Sequence, residues 1–292
     1  MKMFLAEQNG LHNIIDMIIY LAGGVSANLN PAYRRMVQGC DISNNGFIKA
    51  LKDENFWQGG YDPIIETHHP YILESFYYTD ADTERLLPYF GDFLLDSGAF
   101  TFMQNNKSHV DWNEYIKRYA EFIVKNNIEK YFELDIDSVV GYKEVLQYRK
   151  RLEKLTGRPC IPVWHKTRGM QEFNKMCEEY NYVAIGGIVA KEIKQEHYKV
   201  FPAMIKKAHT FGSKIHGLGF TNLSWLPRCH FDSVDSTAWT TGNRFGFVYK
   251  FDGKTMQKID APKGKRLADS RKIALINYTE WIKFQKYAER NL

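Results

Sequence analysis

The chain has 292 residues, 44% of them hydrophobic and 25% charged, and a net charge of +5. This composition is typical of a folded globular protein and excludes a disordered one. The longest apolar run, residues 14–25, contains Asp16 and is far shorter than the ~20 residues that a membrane-spanning helix requires. The N-terminus also lacks the apolar core of a secretory signal. We therefore expect a cytoplasmic protein with no membrane partner.

The four cysteines are scattered and form no C-x-x-C pair: Cys40, Cys160, Cys177 and Cys229. This spacing indicates neither a disulfide framework nor a zinc knuckle. A reducing compartment fits it best.

Positive charge is concentrated near the C-terminus. Residues 240–292 carry twelve Lys/Arg against five Asp/Glu, a balance of +7, and the rest of the chain is at −2. Such a segment is suited to contact with a phosphate backbone. A solvated surface gives the same bias, so both interpretations stay open.

Eight short apolar runs alternate with amphipathic segments along the chain. The runs are Met17–Gly24, Ile72–Tyr78, Asp92–Phe100, Tyr131–Ile136, Cys160–His165, Tyr182–Gly187, Lys214–Phe220 and Phe231–Ser236. The helical segments between them include Asp111–Asn127, Lys143–Leu155, Met170–Tyr180 and Glu196–Phe211. Strands that alternate with helices indicate parallel pairing through right-handed crossovers. The pattern predicts an α/β fold, a (β/α)8 TIM barrel that forms one domain over residues 1–292.

Two regions depart from this regular alternation. Residues 25–69 are long for one crossover and are predicted to form an insertion after strand 1, near the barrel mouth. Residues 240–292 are predicted to form a basic hairpin, turning at Asp252-Gly253 within 245–259, and a last helix over 267–290.

Acidic residues and a histidine recur where the predicted strands end. They are Asp96, Asp135 with Asp137, His165, and Asp235, and the last run, FDSVDS, carries Asp232 as well. Catalytic groups of such barrels lie at the carboxyl ends of the strands. Helix capping explains one or two of these aspartates, and His165 can also be a core histidine. Three carboxylates around one cavity require a hydrogen-bond-donating or cationic ligand, or a raised pKa.

Glycines at other strand ends indicate the kind of ligand. Gly98 and the pair Gly186-Gly187 offer backbone N–H groups to an acceptor, and the aspartates accept from ring N–H and amino groups. Guanine has both kinds of edge, and Phe100 offers a ring for stacking. Plain turn geometry is the alternative explanation for the glycines.

Four motifs, in this order, resemble a known family: LLDSGAF, ELDI, AIGGIVAKE and the D-x-x-D-S of FDSVDS. They are similar to motifs of the tRNA-guanine transglycosylases, and especially of the shorter phage and bacterial relatives that exchange guanine for a 7-deazaguanine in DNA. The resemblance covers residues 94–239. It implies a pentosyltransferase of bacterial or phage-infected cells that works through a covalent aspartyl–sugar intermediate and needs no cofactor.

The resemblance also assigns roles to single residues. Asp235 matches the nucleophile, whereas Asp232 matches the family's preceding aspartate, which is not the nucleophile. Asp96 matches the general acid/base. The base-binding set is Ser97, Phe100, Asp135, His165, Gly186 and Gly187, in which His165 replaces the glutamine of the tRNA enzymes.

The family's zinc site, a cysteine cluster with a distant histidine, has no counterpart in this sequence. Its absence favours DNA over tRNA as the partner, with a preQ0-type 7-deazaguanine as the incoming base. The groups expected to contact phosphates are Arg244, Lys250, Lys254, Lys263, Lys265 and Arg266.

Other functions remain as alternatives. A tRNA-guanine transglycosylase is the first. A metal-dependent barrel hydrolase can use His165, His216 and Asp235, although strand 1 lacks the H-x-H such sites want. A Schiff-base aldolase needs a lysine at a strand end, and Lys166 lies just beyond the fifth. A non-catalytic nucleic-acid-binding barrel accounts for the basic segment but not for converging aspartates.

Overall fold

The computed structural model describes residues 17–23, 69–99, 101–102, 110–220, 222–261 and 270–292. Within these ranges the main sheet has eight strands, in the order β4-β3-β2-β1-β8-β7-β6-β5, and its pairings are parallel. The strands are β1 (Ile18–Ala22), β2 (Tyr71–Ser75), β3 (Asp92–Asp96), β4 (Lys130–Tyr131), β5 (Val163–Trp164), β6 (Tyr182–Ile185), β7 (Lys214–Gly217) and β8 (Ser233–Ser236). The predicted α/β class and eight parallel strands are confirmed.

The eight-stranded sheet is curled. β1 pairs with β8, and Tyr20 lies opposite Asp235 in that register. On the other side, a single parallel bridge connects Phe132, just after β4, with Ile161, just before β5. The carboxyl ends of all eight strands consequently face the same rim, which we call the carboxyl rim.

Helices follow most strands of the sheet. They are α1 (Ala81–Leu86), α2 (Trp112–Lys125), α3 (Asp137–Val140), α4 (Tyr142–Thr156), α5 (Gly169–Glu179), α6 (Phe201–Thr210), α7 (Leu226–Cys229), α8 (Ala238–Phe245) and α9 (Ser270–Asn291). The predicted segment Glu196–Phe211 divides into a 3-10 turn (Gln195–Val200) and α6.

Helix α2 shows how the sequence sets these elements. Asp111 caps its first turn by accepting from the N–H groups of Asn113 (3.0 Å) and Glu114 (3.2 Å), which satisfies donors that have no partner within the helix. The buried face repeats at i, i+3 and i+4: Trp112, Tyr115, Ile116, Tyr119, Ala120 and Ile123. This face packs under β3 and β4, as the sequence periodicity predicts.

The interior of the curled sheet is mixed in polarity. Tyr20, Phe132, Val163 and Ala184 pack there as one apolar cluster. His216 of β7 lies among them without solvent exposure, with its ring centroid 5.3 Å from that of Phe132. A buried histidine requires hydrogen-bond partners, and those partners lead to the candidate site below.

The C-terminal part forms a separate hairpin on the outside of the sheet. β9 (Phe247–Phe251) and β10 (Met256–Asp260) pair antiparallel and pack on α9. Gln285 of α9 donates to the carbonyls of Ile19 (2.6 Å) and Tyr71 (2.8 Å), which fixes the helix against β1 and β2. The predicted hairpin and last helix are thereby confirmed.

Some predictions lie beyond these observations. The predicted insertion at 25–69 falls outside the described residues except for His69. The assignment of one domain to the whole chain stays a prediction. Among the helices that the structure describes, none is long and apolar enough to cross a bilayer.

Candidate active site

Three of the predicted aspartates lie at the carboxyl rim. Asp96 is the last residue of β3, Asp135 follows β4, and Asp235 is the third residue of β8. The charges of both Asp135 and Asp235 act on Asp96 and raise its pKa. The structure therefore brings Asp135 and Asp235 within electrostatic reach of Asp96.

The carboxyl group of Asp96 has a raised pKa. Desolvation is the main cause that raises its pKa to about 6, against the opposing effect of a hydrogen bond from the Gly98 N–H, while the charges of Asp135 and Asp235 add to the rise. The Gly98 N–H lies 3.0 Å from Asp96 Oδ2. A carboxyl group with a pKa near neutrality can both give and take a proton at physiological pH.

The residues after Asp96 are held by the neighbouring helix and strand. Tyr115 of α2 donates to the carbonyl of Ser97 at 2.6 Å. Gly98 has a φ of +65°, and a Cβ there would lie 2.7 Å from the backbone nitrogen of Tyr77. Only glycine fits this turn without strain. Ser97 is buried beside Asp96, and Phe100, the predicted stacking ring, lies outside the described residues.

The two carboxylate oxygens of Asp235 differ in their hydrogen bonds. Its Oδ1 accepts from the Gly219 N–H at 2.6 Å and lies 3.1 Å from His216 Nε2. Among the described residues, Oδ2 has no hydrogen-bond partner. The residue is 6% exposed, so an attacking oxygen at this position would be largely shielded from water.

Asp232 lies at the other end of β8, which corrects one expectation. The sequence pattern places both Asp232 and Asp235 at the end of the strand, but β8 begins at Ser233. Asp232 Oδ2 instead accepts from the Ile215 N–H (2.6 Å) and lies 2.9 Å from His209 Nε2. The strand is only four residues long, so Asp232 precedes it, and a role at the carboxyl rim is excluded by position.

His165 contacts two carboxylates. Its Nε2 lies 2.7 Å from Asp135 Oδ1, and its Nδ1 lies 3.2 Å from Glu192 Oε2. Burial lowers the pKa of His165, but the hydrogen bond and charge of Asp135 and the hydrogen bond of Glu192 outweigh it and raise the pKa to about 9. The protonated ring thus uses both N–H groups on carboxylates and orients Asp135.

The two glycines after β6, Gly186 and Gly187, differ in whether their backbone N–H groups have a hydrogen-bond partner. The prediction that Gly186 provides a free N–H is wrong, because this group donates to the Trp164 carbonyl at 2.9 Å and so extends the strand pairing. The N–H of Gly187 has no partner among the described residues. Gly187 has a φ of +75°, and a Cβ there would lie 2.8 Å from Glu192 Oε2, so this position also requires glycine.

Asp135, Asp137 and His165 could together hold a metal ion. One ligand atom from each lies within 4.8 Å of the others. Two contacts compete with a metal. Arg168, which is almost wholly buried, pairs with Asp137 at 2.9 Å, and the raised pKa of His165 favours the protonated ring, which cannot ligate.

The basic residues predicted to contact phosphates are only partly described. Lys250 pairs with Glu280 at 3.1 Å, and Lys254 is exposed in the hairpin turn. The side chain of Arg244 and the residues Lys263, Lys265 and Arg266 lie outside the described part of the chain.

The hairpin turn is directed away from the carboxyl rim. Phe251, next to the turn, packs on Tyr287 of α9. Two residues further along α9, Glu289 accepts from Tyr71 at the amino end of β2. The turn with Lys254 therefore lies towards the amino ends of the strands.

Glu192, His216 and Gly219 contact the site, but none of them belongs to the catalytic or base-binding set predicted from the sequence, and His216 has a role there only in the metal-dependent hydrolase alternative. Glu192 and Gly219 lie within the motifs AIGGIVAKE and HGLGF, but their partners are distant in sequence. A polar residue inside an apolar run, as His216 is in KIHGLGF, was the available indication of a buried hydrogen-bonding role.

Comparison with known proteins identifies no family. No family model and no curated protein matches the chain. Two solved structures with some similarity are of the carboxyl transferase domain of Rhizobium etli pyruvate carboxylase. One, with pyruvate, has a TM-score of 0.45 and 11% identity over 94% of this chain, and the other has 0.41 and 8% over 95%. The chain spans about half of each, 48%, and similarity at this level says nothing about activity.

Proposed function

We propose that the protein is a base-exchange glycosyltransferase that replaces guanine in DNA by a 7-deazaguanine of the preQ0 type. Two carboxyl groups at the carboxyl rim support it. Oδ1 of Asp235 is held by a hydrogen bond, and the pKa of Asp96 is raised to about 6. Two carboxyl groups in different environments are what a retaining exchange at a sugar carbon needs. The proposal includes a closed (β/α)8 barrel with an insertion after β1 and no zinc subdomain.

The first displacement forms a covalent intermediate. Oδ2 of Asp235 attacks C1′ of a flipped-out nucleotide, and the C1′–N9 bond breaks as the C1′–O bond forms. Guanine leaves with the electron pair of the broken bond and takes a proton from Asp96. The products are an aspartyl–sugar ester, free guanine and the carboxylate form of Asp96.

The second displacement restores the enzyme. The incoming 7-deazaguanine gives its N9 proton to Asp96, its N9 attacks C1′, and the C1′–O bond to Asp235 breaks. Each displacement inverts C1′, so the nucleotide keeps its β-configuration. No metal ion or redox cofactor takes part in this scheme.

The base is recognised by groups of complementary polarity. Asp135, held by His165, accepts from the amino group of guanine, and the Gly187 N–H donates to its carbonyl. Ser97 and Phe100 complete the base-binding set. His165 acts on the base through Asp135, because both of its ring nitrogens contact carboxylates.

Guanine release tests the proposal. The protein is incubated with guanine-labelled duplex DNA, single-stranded DNA and tRNA, each with and without 7-cyano- or 7-aminomethyl-7-deazaguanine. Release from DNA that depends on the added base supports the proposal, whereas release from tRNA alone supports the tRNA-acting alternative. Release from none of them contradicts both.

A metal-dependent hydrolase is the second candidate, since Asp135, Asp137 and His165 converge within 4.8 Å. Titration with Zn²⁺ or Mn²⁺, followed by calorimetry, separates the two functions. Tight binding at one equivalent that is lost in Asp137→Asn supports the hydrolase. Base exchange that is insensitive to chelators supports the transglycosylase.

A further inference from the structure

His216 connects Asp235 to the interior of the curled sheet. It lies on β7, has no solvent exposure, and is surrounded by the rings of Tyr20, Phe132 and Tyr182 at centroid distances of 6.0, 5.3 and 6.5 Å. Its two ring nitrogens face different partners. Nε2 lies 3.1 Å from Asp235 Oδ1, and Nδ1 lies 2.6 Å from the Ser233 hydroxyl.

The hydrogen bonds around His216 form a chain with one favoured direction. Ser233 Oγ also contacts the Tyr182 hydroxyl. Desolvation raises the pKa of Tyr182 well above its ordinary value, so its hydroxyl keeps its proton. If Tyr182 donates to Ser233, Ser233 can donate to His216 Nδ1, and the neutral ring then donates from Nε2 to Asp235.

This direction leaves every hydrogen in the chain with an acceptor. In the opposite direction Nδ1–H would donate to Ser233 and Ser233 to Tyr182. The unprotonated Nε2 would then face the Asp235 carboxylate, 3.1 Å away, with no hydrogen between them. His216 and Asp235 are both buried, and two acceptors that face each other in a buried site are unfavourable, so the first direction is the stable one.

We propose that His216 is a positioning residue whose Nδ1 accepts from Ser233 and which, with the Gly219 N–H, holds Oδ1 of Asp235 so that Oδ2 is the attacking oxygen. Its position inside the sheet allows it to orient the carboxylate without touching substrate. It differs in this from Asp96, which exchanges a proton with the base.

In the proposed function, on which this step rests, the two N–H donors on Asp235 Oδ1 also act in the second displacement. Asp235 is an uncharged ester in the intermediate and regains its negative charge as the C1′–O bond breaks. Two fixed N–H donors on Oδ1 stabilise that developing charge in the manner of an oxyanion hole. Loss of the His216 donor should therefore slow release of the intermediate and cause it to accumulate.

The tautomer can be measured without any assumption about activity. Two-bond ¹⁵N–¹H correlation spectra of the imidazole rings distinguish a neutral ring protonated at Nε2 from one protonated at Nδ1. We expect the Nε2–H form for His216 in the wild-type protein and in Tyr182→Phe, which keeps the Ser233 donor. Ser233→Ala should perturb the Nδ1 resonance. A ring protonated at Nδ1, or at both nitrogens, would overturn the assignment.

Kinetics test the positioning role. His216→Leu should slow decay of the covalent intermediate by roughly 100-fold and raise its steady-state level, whereas His216→Gln, which restores an N–H donor, should recover most of the rate. His209→Leu is the matched control, because His209 contacts Asp232, 2.9 Å away, before the same strand. It should leave the decay rate unchanged.

The outcomes separate this inference from the proposed function. Equal decay rates in His216→Leu and His209→Leu, with an adduct present, would overturn the positioning role alone. If the wild-type protein forms no adduct, the proposed function and its kinetic consequence both fail, while the ¹⁵N spectra still decide the hydrogen-bond chain. Circular dichroism of His216→Gln verifies that a rate change does not reflect unfolding.

Discussion

At the scale of single residues, three aspartates at one rim differ because their surroundings differ. Asp96 is desolvated and its pKa is raised to about 6. Asp135 contacts His165, whose pKa is raised to about 9, and Asp235 accepts from the Gly219 N–H and lies beside the His216 ring. In the proposed function, these different environments, rather than residue type, make Asp96 the proton carrier, Asp135 the acceptor for the base and Asp235 the nucleophile.

Asp96→Asn should stabilise the protein above pH 6. The folded pKa of about 6 lies above the ordinary value of 3.8, so the wild-type protein loses stability as pH rises through this interval. A neutral amide avoids that loss, and the gain at pH 8 should be about 1–3 kcal/mol, vanishing below pH 4. Urea denaturation at both pH values measures it. No gain over the exposed control Asp260→Asn would contradict the assignment.

His165→Gln should show the opposite dependence on pH. The folded pKa of His165 is raised to about 9 from 6.5, so its contacts with Asp135 and Glu192 stabilise the protein fully below pH 6.5 and lose this effect as pH rises through 9. The stability difference between wild type and variant should fall by about 3 kcal/mol from pH 6 to pH 10. Thermal or urea unfolding across this range tests it, with His197→Gln as the control. A constant difference would contradict it.

At the scale of elements, the alternation of apolar runs with amphipathic segments predicts where the strands lie, but it does not predict the residues at which they begin and end. Each of the eight predicted runs overlaps an observed strand, because short β-branched and aromatic runs separated by helical periodicity have few other interpretations, but the fourth run shares only Tyr131 with β4. It cannot tell that β8 begins at Ser233 rather than two residues earlier. That difference moves Asp232 to the opposite rim.

Replacement of Gly98, in the turn after Asp96, should destabilise the protein more than replacement of Gly157. Gly98 and Gly157 have similar φ values, +65° and +72°, but a Cβ at Gly98 would meet the Tyr77 nitrogen at 2.7 Å and one at Gly157 would meet nothing within 4 Å. Alanine at either site costs about 1–2 kcal/mol of backbone strain. Only Gly98→Ala should lose more than this and also displace the donor to Asp96. Unfolding free energies of the two variants test the difference, and equal losses would contradict it.

At the scale of the whole molecule, the sequence predicts which acidic residues lie at the carboxyl rim, but it does not predict their hydrogen-bond partners. Parallel strands place all carboxyl ends together, so Asp96, Asp135 and Asp235 could be grouped from strand order alone. The partners of those aspartates could not. His216 and Gly219 reach Asp235 from a neighbouring strand and its loop, and the N–H of Gly186 is consumed by pairing with β5. Such contacts depend on register, which sequence alone does not specify.

The uneven charge of the molecule predicts a salt-dependent contact with nucleic acid. If the C-terminal segment contacts phosphates, Lys254→Gln should weaken DNA binding uniformly across sequences and lower the salt slope of log K by about 1. Lys117→Gln, an exposed lysine of α2, serves as the control. Fluorescence anisotropy over a range of salt concentrations measures both. An unchanged slope in Lys254→Gln would show that this lysine belongs to the solvated surface. Its position towards the amino ends of the strands, away from the carboxyl rim, is compatible with that result.

The account depends most on Asp235 as the group that becomes joined to the sugar. The direct measurement is mass spectrometry of the denatured protein after incubation with a guanine-containing oligonucleotide. We predict an adduct on Asp235 whose mass is that of protein plus oligonucleotide minus guanine, present in Asp232→Asn and absent in Asp235→Asn. An adduct that persists in Asp235→Asn and vanishes in Asp232→Asn would contradict the account.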